Sequence, residues 1–359
     1  MTKRILVTGG CGFIGSALIR QLIAESDSFV TNIDKLTYAA DPTSLSTASD
    51  SPRYRFEQVD ICNGEDITRA IANCGPDLIV HLAAETHVDR SIDGPAPFVT
   101  TNVFGTFQLL ESCHAYWTTL PSEQQRRFRF HHVSTDEVFG SLSEEGLFSE
   151  NSSYRPNSPY AASKASSDHF VRAWHTTFGL PVLISSCSNN YGPSQFPEKL
   201  IPLTILSALR GRKIPIYGDG RNVRDWLHVD DHCRALRLIQ ESGTIGHSYN
   251  IGARNERTNL DVVLGICAIL DQICPRQDKT SYGEQISFVP DRPGHDRRYA
   301  IDPSKMEQEL GWRPKEAFES GLLKTVRWYL ENVNWCERIE ATRYKGERLG
   351  LTTKSQFAG

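Results

Sequence analysis

None of the nine cysteines stands in a C-x-x-C pair, and their number is odd. That arithmetic speaks against a disulfide framework and against a zinc site, so no metal is expected and free thiols in a reducing compartment are. No stretch reaches the roughly 20 consecutive apolar residues needed to span a bilayer. Lys3 and Arg4 precede an apolar run in the manner of a secretion signal, but Gly9, Gly10 and Gly12 break it. The run reads better as strand, turn and helix. A large charge imbalance is also missing: at a net charge of −4 nothing draws the chain electrostatically to nucleic acid or to a membrane. Repeats and low-complexity segments are absent. The expectation is a soluble, cytoplasmic protein with neither nucleic acid nor membrane as partner.

What is present suits a packed globular protein. Hydrophobic residues make up 39% of the chain and charged ones 23%, which rules out disorder. A length of 359 residues accommodates one large α/β domain and a smaller one. Strand-like runs at Arg4–Thr8, Phe29–Ile33, Arg55–Gln58, Leu78–Leu82, Phe128–Val133 and Val182–Ser185 alternate with helical patterns at Phe13–Ala24, Asp66–Asn73, Asn102–Ala115 and Tyr160–Phe178. Such alternation predicts a Rossmann-like, doubly wound parallel sheet with right-handed crossovers. After about residue 190 prolines and glycines cluster, and short strands mix with helices such as Leu200–Arg210 and Asp231–Gln240. Residues 1–190 are expected to form the dinucleotide-binding domain and 191–340 a smaller C-terminal α/β substrate-binding lobe. The chain is expected to cross back to the sheet near 225–252, and 341–359 is a polar tail.

The first strand runs into Thr8-Gly9-Gly10-Cys11-Gly12-Phe13-Ile14-Gly15 and then a helix. Gly9, Gly12 and Gly15 are spaced G-x-x-G-x-x-G. The first allows a tight turn, the second close approach of backbone to a pyrophosphate, the third close packing of helix on strand. Phosphates would then lie on the helix N-terminus, where N–H groups and the dipole favour anions. Asp34 ends the second strand, where a carboxylate accepts from adenosine ribose hydroxyls and disfavours the extra phosphate of NADP. NAD is therefore the expected cofactor, although Lys35 beside it weighs the other way. Asp60 and Ile61, at the end of the third strand, are placed to hold the adenine.

Tyr160 and Lys164 lie one helical turn apart and share a face. A lysine there can hold the nicotinamide ribose and lower the tyrosine pKa, and tyrosinate can take a hydroxyl proton as hydride leaves carbon. Thr135-Asp136-Glu137 stands 25 residues upstream, at the end of the fifth strand. Two adjacent carboxyls add an acid and a base to an oxidising pair, so one site could oxidise, eliminate water and reduce again. The glycine fingerprint, Thr135, Tyr160 and Lys164 together resemble the extended short-chain dehydrogenase/reductase family. HLAAETHVDRSI (81–92), STDEVFG (134–140), CSNNYGPSQFPEKLIP (187–202), IYGDGRNVRDWLH (216–228) and DRPGHDRRYAID (291–302) narrow the resemblance to its nucleotide-sugar 4,6-dehydratases, over residues 4 to 330.

That resemblance implies a lyase that dehydrates dTDP-glucose to the 4-keto-6-deoxy sugar with NAD used catalytically. Thr135 and Tyr160 would serve the first oxidation, Glu137 would take the C5 proton, and Asp136, held protonated, would give one to the departing C6 hydroxyl. It further implies that Phe13, Ile14, Lys35, Leu36, Thr37, Leu82, Ala83, Ala84, Thr101 and Asn190 border the cofactor. Asn189, Arg224 and Arg292 would hold the diphosphate of a nucleotide-sugar substrate. Lys199, Leu200, Pro215 and Tyr217 would surround the nucleobase and its sugar, with Asn259 and His295 nearby, and Thr86 and the segment His87–Ser91 would lie near the sugar and cofactor. A homodimer formed through two helices per subunit is the family habit, with Asn102–Ala115 and Ser163–Phe178 as candidates. Two alternatives stay open at this point. A nucleotide-sugar 4-epimerase shares the cofactor site, Thr135, Tyr160 and Lys164 but has no use for Asp136 and Glu137. A 4,6-dehydratase acting on UDP- or CDP-glucose presents the same residues.

Overall fold

The computed structural model describes residues 2–344 and 349. Twelve strands occur among them: β1 Arg4–Thr8, β2 Phe29–Asp34, β3 Tyr54–Gln58, β4 Leu78–His81, β5 Arg129–Thr135, β6 Val182–Cys187, β7 Asn189–Tyr191, β8 Ile214–Tyr217, β9 Val223–His228, β10 Ser248–Ile251, β11 Glu256–Thr258 and β12 Ile286–Val289. Seven form one sheet in the order β3-β2-β1-β4-β5-β6-β10, every pairing parallel. This is the expected α/β class with a doubly wound sheet. β4 and β6 are buried along their whole length, as befits parallel strands covered on both faces. Leu18, Leu22, Leu236 and Ile239 cover one face, from the helices Phe13–Glu25 and Val229–Ser242. Ile67, Ile71, Leu109, Leu110, Val171 and Trp174 cover the other.

The strand order reverses between β1 and β4, where crossovers leave in opposite directions and open a crevice at the carboxyl edge of the sheet. Above that edge lie a three-stranded sheet, β11-β9-β7, and the pair β12-β8. Their core includes Ile201, Ile205, Ile214, Ile216, Val262, Ile266 and Tyr329. The chain does return to the large sheet, at β10, which pairs with β6.

Several boundaries differ from the expectations. β5 continues past Val133, because Ser134 and Thr135 still pair with Ser186 and Cys187; this carries Thr135 to the very edge of the sheet. The helix expected over 102–115 begins as a π-helical segment, Val99–Gly105, and is α-helical only over Thr106–Thr119. There the Asn102 side chain bonds the Glu85 backbone at both N and O, and Ser163 Oγ, and a Cβ on Gly105 would press on Ile61. Of the polar tail expected from 341, Thr342 still closes the helix Val333–Thr342, and Tyr344 is buried against Phe196. Residues 345–348 and 350–359 lie outside the described residues.

Candidate active site

One cleft follows the carboxyl edge of β1, β2, β4 and β5 and ends under the second lobe. Its near end is made of backbone. Gly9 adopts φ +71°, and a Cβ there would come within 2.7 Å of the Ala83 backbone. A Cβ on Gly15 would overlap the Gly9 carbonyl. The helix Phe13–Glu25 starts at Gly12 with no side-chain cap and no acid in its first turn, so its leading N–H groups face the cleft without an anionic partner. Such an end is built for a phosphate, and a dinucleotide fits this cradle.

Asp34 accepts from Cys11 N at 3.0 Å and from Leu36 N at 2.8 Å. The carboxylate thus pins the glycine loop and the following turn while keeping lone pairs free for hydroxyl donors. Lys35 Nζ donates to Thr101 Oγ1 at 3.2 Å and lies 3.7 Å from Asp60 Oδ2. It is drawn across the cleft towards the third strand rather than left free for an extra phosphate. Gly9, Gly12, Phe13, Ile14, Gly15, Asp34, Lys35, Thr37, Ile61, Leu82, Ala83, Ala84, Thr86, Thr101 and Asn190 all line this cleft. Leu36 and Asp60 do not line it; Leu36 sits in the turn at φ +61°. Asn190 borders the cleft, but its amide is committed to Ser188 O, Cys187 Sγ and His232 Nδ1.

The far end gathers Thr135, Asp136, Glu137, Tyr160, Lys164, Asn189 and Lys199. Thr135 closes β5 and caps the short 3-10 turn Asp136–Phe139 by accepting from Glu137 N. That turn is why two consecutive carboxyls reach one cavity. Asp136 is 2% exposed, and its Oδ2 has no hydrogen-bond partner. Burial, then Glu137 and Asp225, hold its pKa well above the usual carboxyl range against Arg224 and the Thr135 hydroxyl. Burial also raises Glu137, but Arg292, Arg224 and Lys199 all oppose it. The neighbours are therefore pushed apart: three cations favour the ionised form of Glu137, while one, Arg224, favours that of Asp136. Tyr160 begins the helix Pro159–Phe178. Its phenol is pushed well above its ordinary value by burial, then Glu137 and Cys187, while the Thr135 hydroxyl pulls it down. Lys164 Nζ donates to Val133 O at 2.9 Å.

Of the remaining expected substrate residues, Arg292 and Arg224 stand close enough to Glu137 to act on its charge. Arg292 Nη1 is 2.5 Å from Asp89 Oδ1, and Tyr217 donates to Asp89 Oδ2 at 2.9 Å. Arg224 donates to Asp296 O at 3.0 Å and lies 4.2 Å above the Tyr299 ring. His295 pairs with Asp291 at 2.6 Å and meets the Tyr217 ring edge-on. His87 Nε2 is 3.3 Å from Glu198 O, and Lys199 Nζ donates to Thr86 O. Asn259 opens the helix Asn259–Ile273, Leu200 opens Leu200–Leu209, and Pro215 lies in β8. Glu198, Asp296 and Tyr299 were not anticipated, nor was the pairing of Asp89, which lies in the expected segment His87–Ser91. Asp89 and Glu198 lie inside the quoted motifs, but nothing local says that they clamp Arg292 and Arg90. Among the described residues no group of three or more His, Cys, Asp or Glu could hold a metal, and no helix is long and apolar enough to cross a membrane.

A family model described as GDP-mannose 4,6 dehydratase matches residues 6–325. The chain is 55% identical to the dTDP-glucose 4,6-dehydratase of Shigella flexneri, over 95% of this chain and 97% of that one. It is 54% identical to the enzyme of that name from Neisseria meningitidis, over 97% and 99%. Among solved structures it resembles DesIV of Streptomyces venezuelae, a dTDP-glucose 4,6-dehydratase crystallised with NAD and TDP, with a TM-score of 0.85, 45% identity and coverage of 94% and 99%. A UDP-glucose 4-epimerase of Thermotoga maritima, solved with UDP-glucose, shares the fold at a TM-score of 0.80 but only 28% identity, over 92% and 99%.

Proposed function

The chain belongs to the dTDP-glucose 4,6-dehydratase family, and on that premise we propose that it converts dTDP-glucose to dTDP-4-keto-6-deoxyglucose and water. The observation that carries this reading is the Asp136–Glu137 pair: two adjacent carboxyls, Asp136 only 2% exposed with Oδ2 unpartnered, in the cleft that holds Tyr160 and Lys164. An epimerase has no step that uses such a pair.

NAD, when bound, supplies hydride chemistry, accepting hydrogen from C4 and giving it to C6. The glycine loop and the open helix N-terminus would hold its diphosphate, Asp34 one ribose, and Lys164 the other. Tyr160 takes the O4 proton, with Thr135 orienting that hydroxyl. Because burial and Glu137 oppose its ionisation, the phenol depends on a nearby positive charge, and the Lys164 ammonium is the chain's own. Once C4 is a ketone, the C5 hydrogen is acidic and Glu137 removes it. Arg292, Arg224 and Lys199 keep that carboxylate able to act as a base. Asp136 gives its proton to the C6 hydroxyl, which leaves as water, and after C6 has been reduced Glu137 returns a proton to C5, which completes the 4-keto-6-deoxy sugar. Asn189, Arg224 and Arg292 would hold the substrate diphosphate, and Lys199, Leu200, Pro215, Tyr217, Asn259 and His295 the thymidine end. Thr86 and His87 would flank the hexose. Residues 1–190 and the returning segment would thus serve the cofactor, and 191–340 the sugar nucleotide.

The same proposal includes a cytosolic homodimer. The described cysteines are all free. Phe104, Phe170 and Phe178 stand exposed on the helices that flank the cleft, and packing them against a second copy would remove that apolar surface from water. Light scattering should give twice the chain mass, and Phe170→Glu should give a monomer; a wild-type monomer would remove the dimer from the proposal.

The decisive test follows the hydrogen. Substrate deuterated at C4 should yield product labelled in the C6 methyl group, and reaction in D₂O should place one deuterium at C5. Label that stays at C4 of a sugar keeping its C6 hydroxyl would make the chain an epimerase. Label in cofactor released to solution would make it a dehydrogenase.

A further inference from the structure

Behind Lys164 the structure holds a polar network buried in the sheet, which the reaction outlined above leaves unused. Lys164 Nζ lies 3.4 Å from His132 Nε2, and that same nitrogen lies 3.1 Å from Asp168 Oδ1. Asp168 is one turn beyond Lys164 on the same helix, and both it and His132 are wholly buried. Its other oxygen accepts from Ser134 Oγ at 2.7 Å and from the Tyr154 hydroxyl at 2.9 Å. Arg172 in turn donates to Tyr154. Ser134 immediately precedes Thr135, so the network joins the end of β5 to the catalytic helix.

We propose that Asp168, acting through His132, is the positioning residue that keeps Lys164 charged and aimed at the reacting end of the cleft. The argument rests on which charges surround Lys164. A fully buried ammonium needs a counter-charge. From its own helix it is faced by Asp168, from β5 by His132, from β4 by His81 and from β6 by Cys187, with Tyr160 one turn before it in the same cleft. Burial keeps the phenol of Tyr160 and the thiol of Cys187 protonated, the latter pushed up to about 12. Burial also keeps the two imidazoles neutral, with His132 drawn down to about 4 and His81 lower than its ordinary value. Asp168 alone of these stays anionic: burial would raise it, but His132, Lys164 and Ser134 more than offset that and draw it below the usual value. A neutral imidazole between ammonium and carboxylate accepts from one or donates to the other through the same Nε2. The ammonium and the carboxylate therefore attract each other across one buried ring. Burial lowers Lys164, and Asp168 is the main group that raises it again.

This rests on the reading of Tyr160 and Lys164 as the oxidising pair, and the two can fail separately. Competitive acetylation of Lys164, read by peptide mass spectrometry across pH, titrates the amine whether or not the enzyme turns over. Asp168→Asn should move that titration down by about one to three pH units, the range for loss of a nearby opposite charge. Asp168→Glu should restore most of it. In single turnovers with dTDP-glucose, the alkaline limb of the first oxidation should move down by the same amount in Asp168→Asn. If Asp168→Asn does not fold, His132→Leu removes the bridge and should move both readouts in the same direction. A Lys164 titration unchanged in whichever variant folds, with only a uniform loss of rate, would overturn the proposal and leave the network a structural one. Failure of the dehydratase reading would look different, since the wild type would then show no oxidation of dTDP-glucose at any pH.

Discussion

The two ends of the cleft are built in opposite ways. The cofactor end is held by backbone: glycines that let chain approach chain, N–H groups at a helix start, and one carboxylate, Asp34, bridging two turns. Its glycine turn and helix start are neighbours in sequence. The substrate end is held by side-chain charges that meet across long separations, as Arg292 meets Asp89 and Arg90 meets Glu198. A backbone cradle offers one shape and tolerates no added atom. A set of ion pairs already has partners, so a substrate diphosphate must share or displace Asp89 before Arg292 can hold it. The cofactor end is suited to a group that stays, and the substrate end to one that exchanges at every turnover.

The largest effect should come where the two ends meet. Tyr160→Phe removes the group proposed to take the O4 proton, and a general base contributes about 10²- to 10⁴-fold. Turnover should fall by at least that range while calorimetry finds NAD affinity retained; turnover near wild type would take Tyr160 out of the reaction. Next is the cofactor end. Gly15→Val would drive a side chain into the Gly9 carbonyl, and no rotamer relieves a clash that begins at Cβ. NAD titration should show affinity reduced by roughly a hundredfold or more, about 2.7 kcal/mol at 1.36 kcal/mol per factor of ten. Unchanged affinity would mean that the backbone cradle does not hold the cofactor.

At the substrate end the effects should be milder and sensitive to salt. Asp89→Asn frees Arg292 from its counter-charge, so KM for dTDP-glucose should fall a few-fold and kcat should change less. The gain should shrink as ionic strength rises and the Debye length drops below about 8 Å. A rise in KM would show that Asp89 supports Arg292 rather than competing for it.

The smallest effect concerns stability. Asp136 has a raised pKa in the folded chain and an ordinary one, about 3.9, in the unfolded chain. Its contribution is fully present below about pH 4 and is lost as pH rises towards the folded value. Asp136→Asn cannot ionise, so its Tm should exceed the wild type's by a few degrees at neutral pH, and the gap should close in acid. Dehydration should meanwhile fall much further than C4 oxidation. A Tm difference independent of pH would mean that Asp136 is not held protonated by its surroundings.

The same contrast explains what the sequence disclosed. Gly9, Gly12 and Gly15 follow a β-branched run and open a helix, so fold and cofactor end could be read from one short segment. Thr135-Asp136-Glu137 and Tyr160-x-x-x-Lys164 were legible because each acts within one or two turns of chain. The unanticipated residues act at a distance. The pairing of Asp89 spans 203 positions to Arg292, and Asp296 offers its carbonyl to Arg224, 72 positions away, and its carboxylate to Asn157, 139 positions away. The π-helical start of the 102–115 helix was hidden for a related reason. What marks it is the bonding of Asn102 to Glu85 and Ser163, on two other elements, and local periodicity carries no trace of that.

The pairing of β10 with β6 has a consequence for how the protein is made. Until residues 248–251 have been synthesised, the large sheet ends at β6 and its backbone N–H and C=O groups have no neighbour on that side. At roughly 5–20 residues per second, the ribosome leaves that edge open for several seconds after β6 emerges. An apolar, unpaired parallel edge is the kind of surface on which nascent chains associate. The cofactor-binding half therefore finishes folding only when much of the other half exists, and a fragment cut at residue 190 should aggregate rather than survive as a domain.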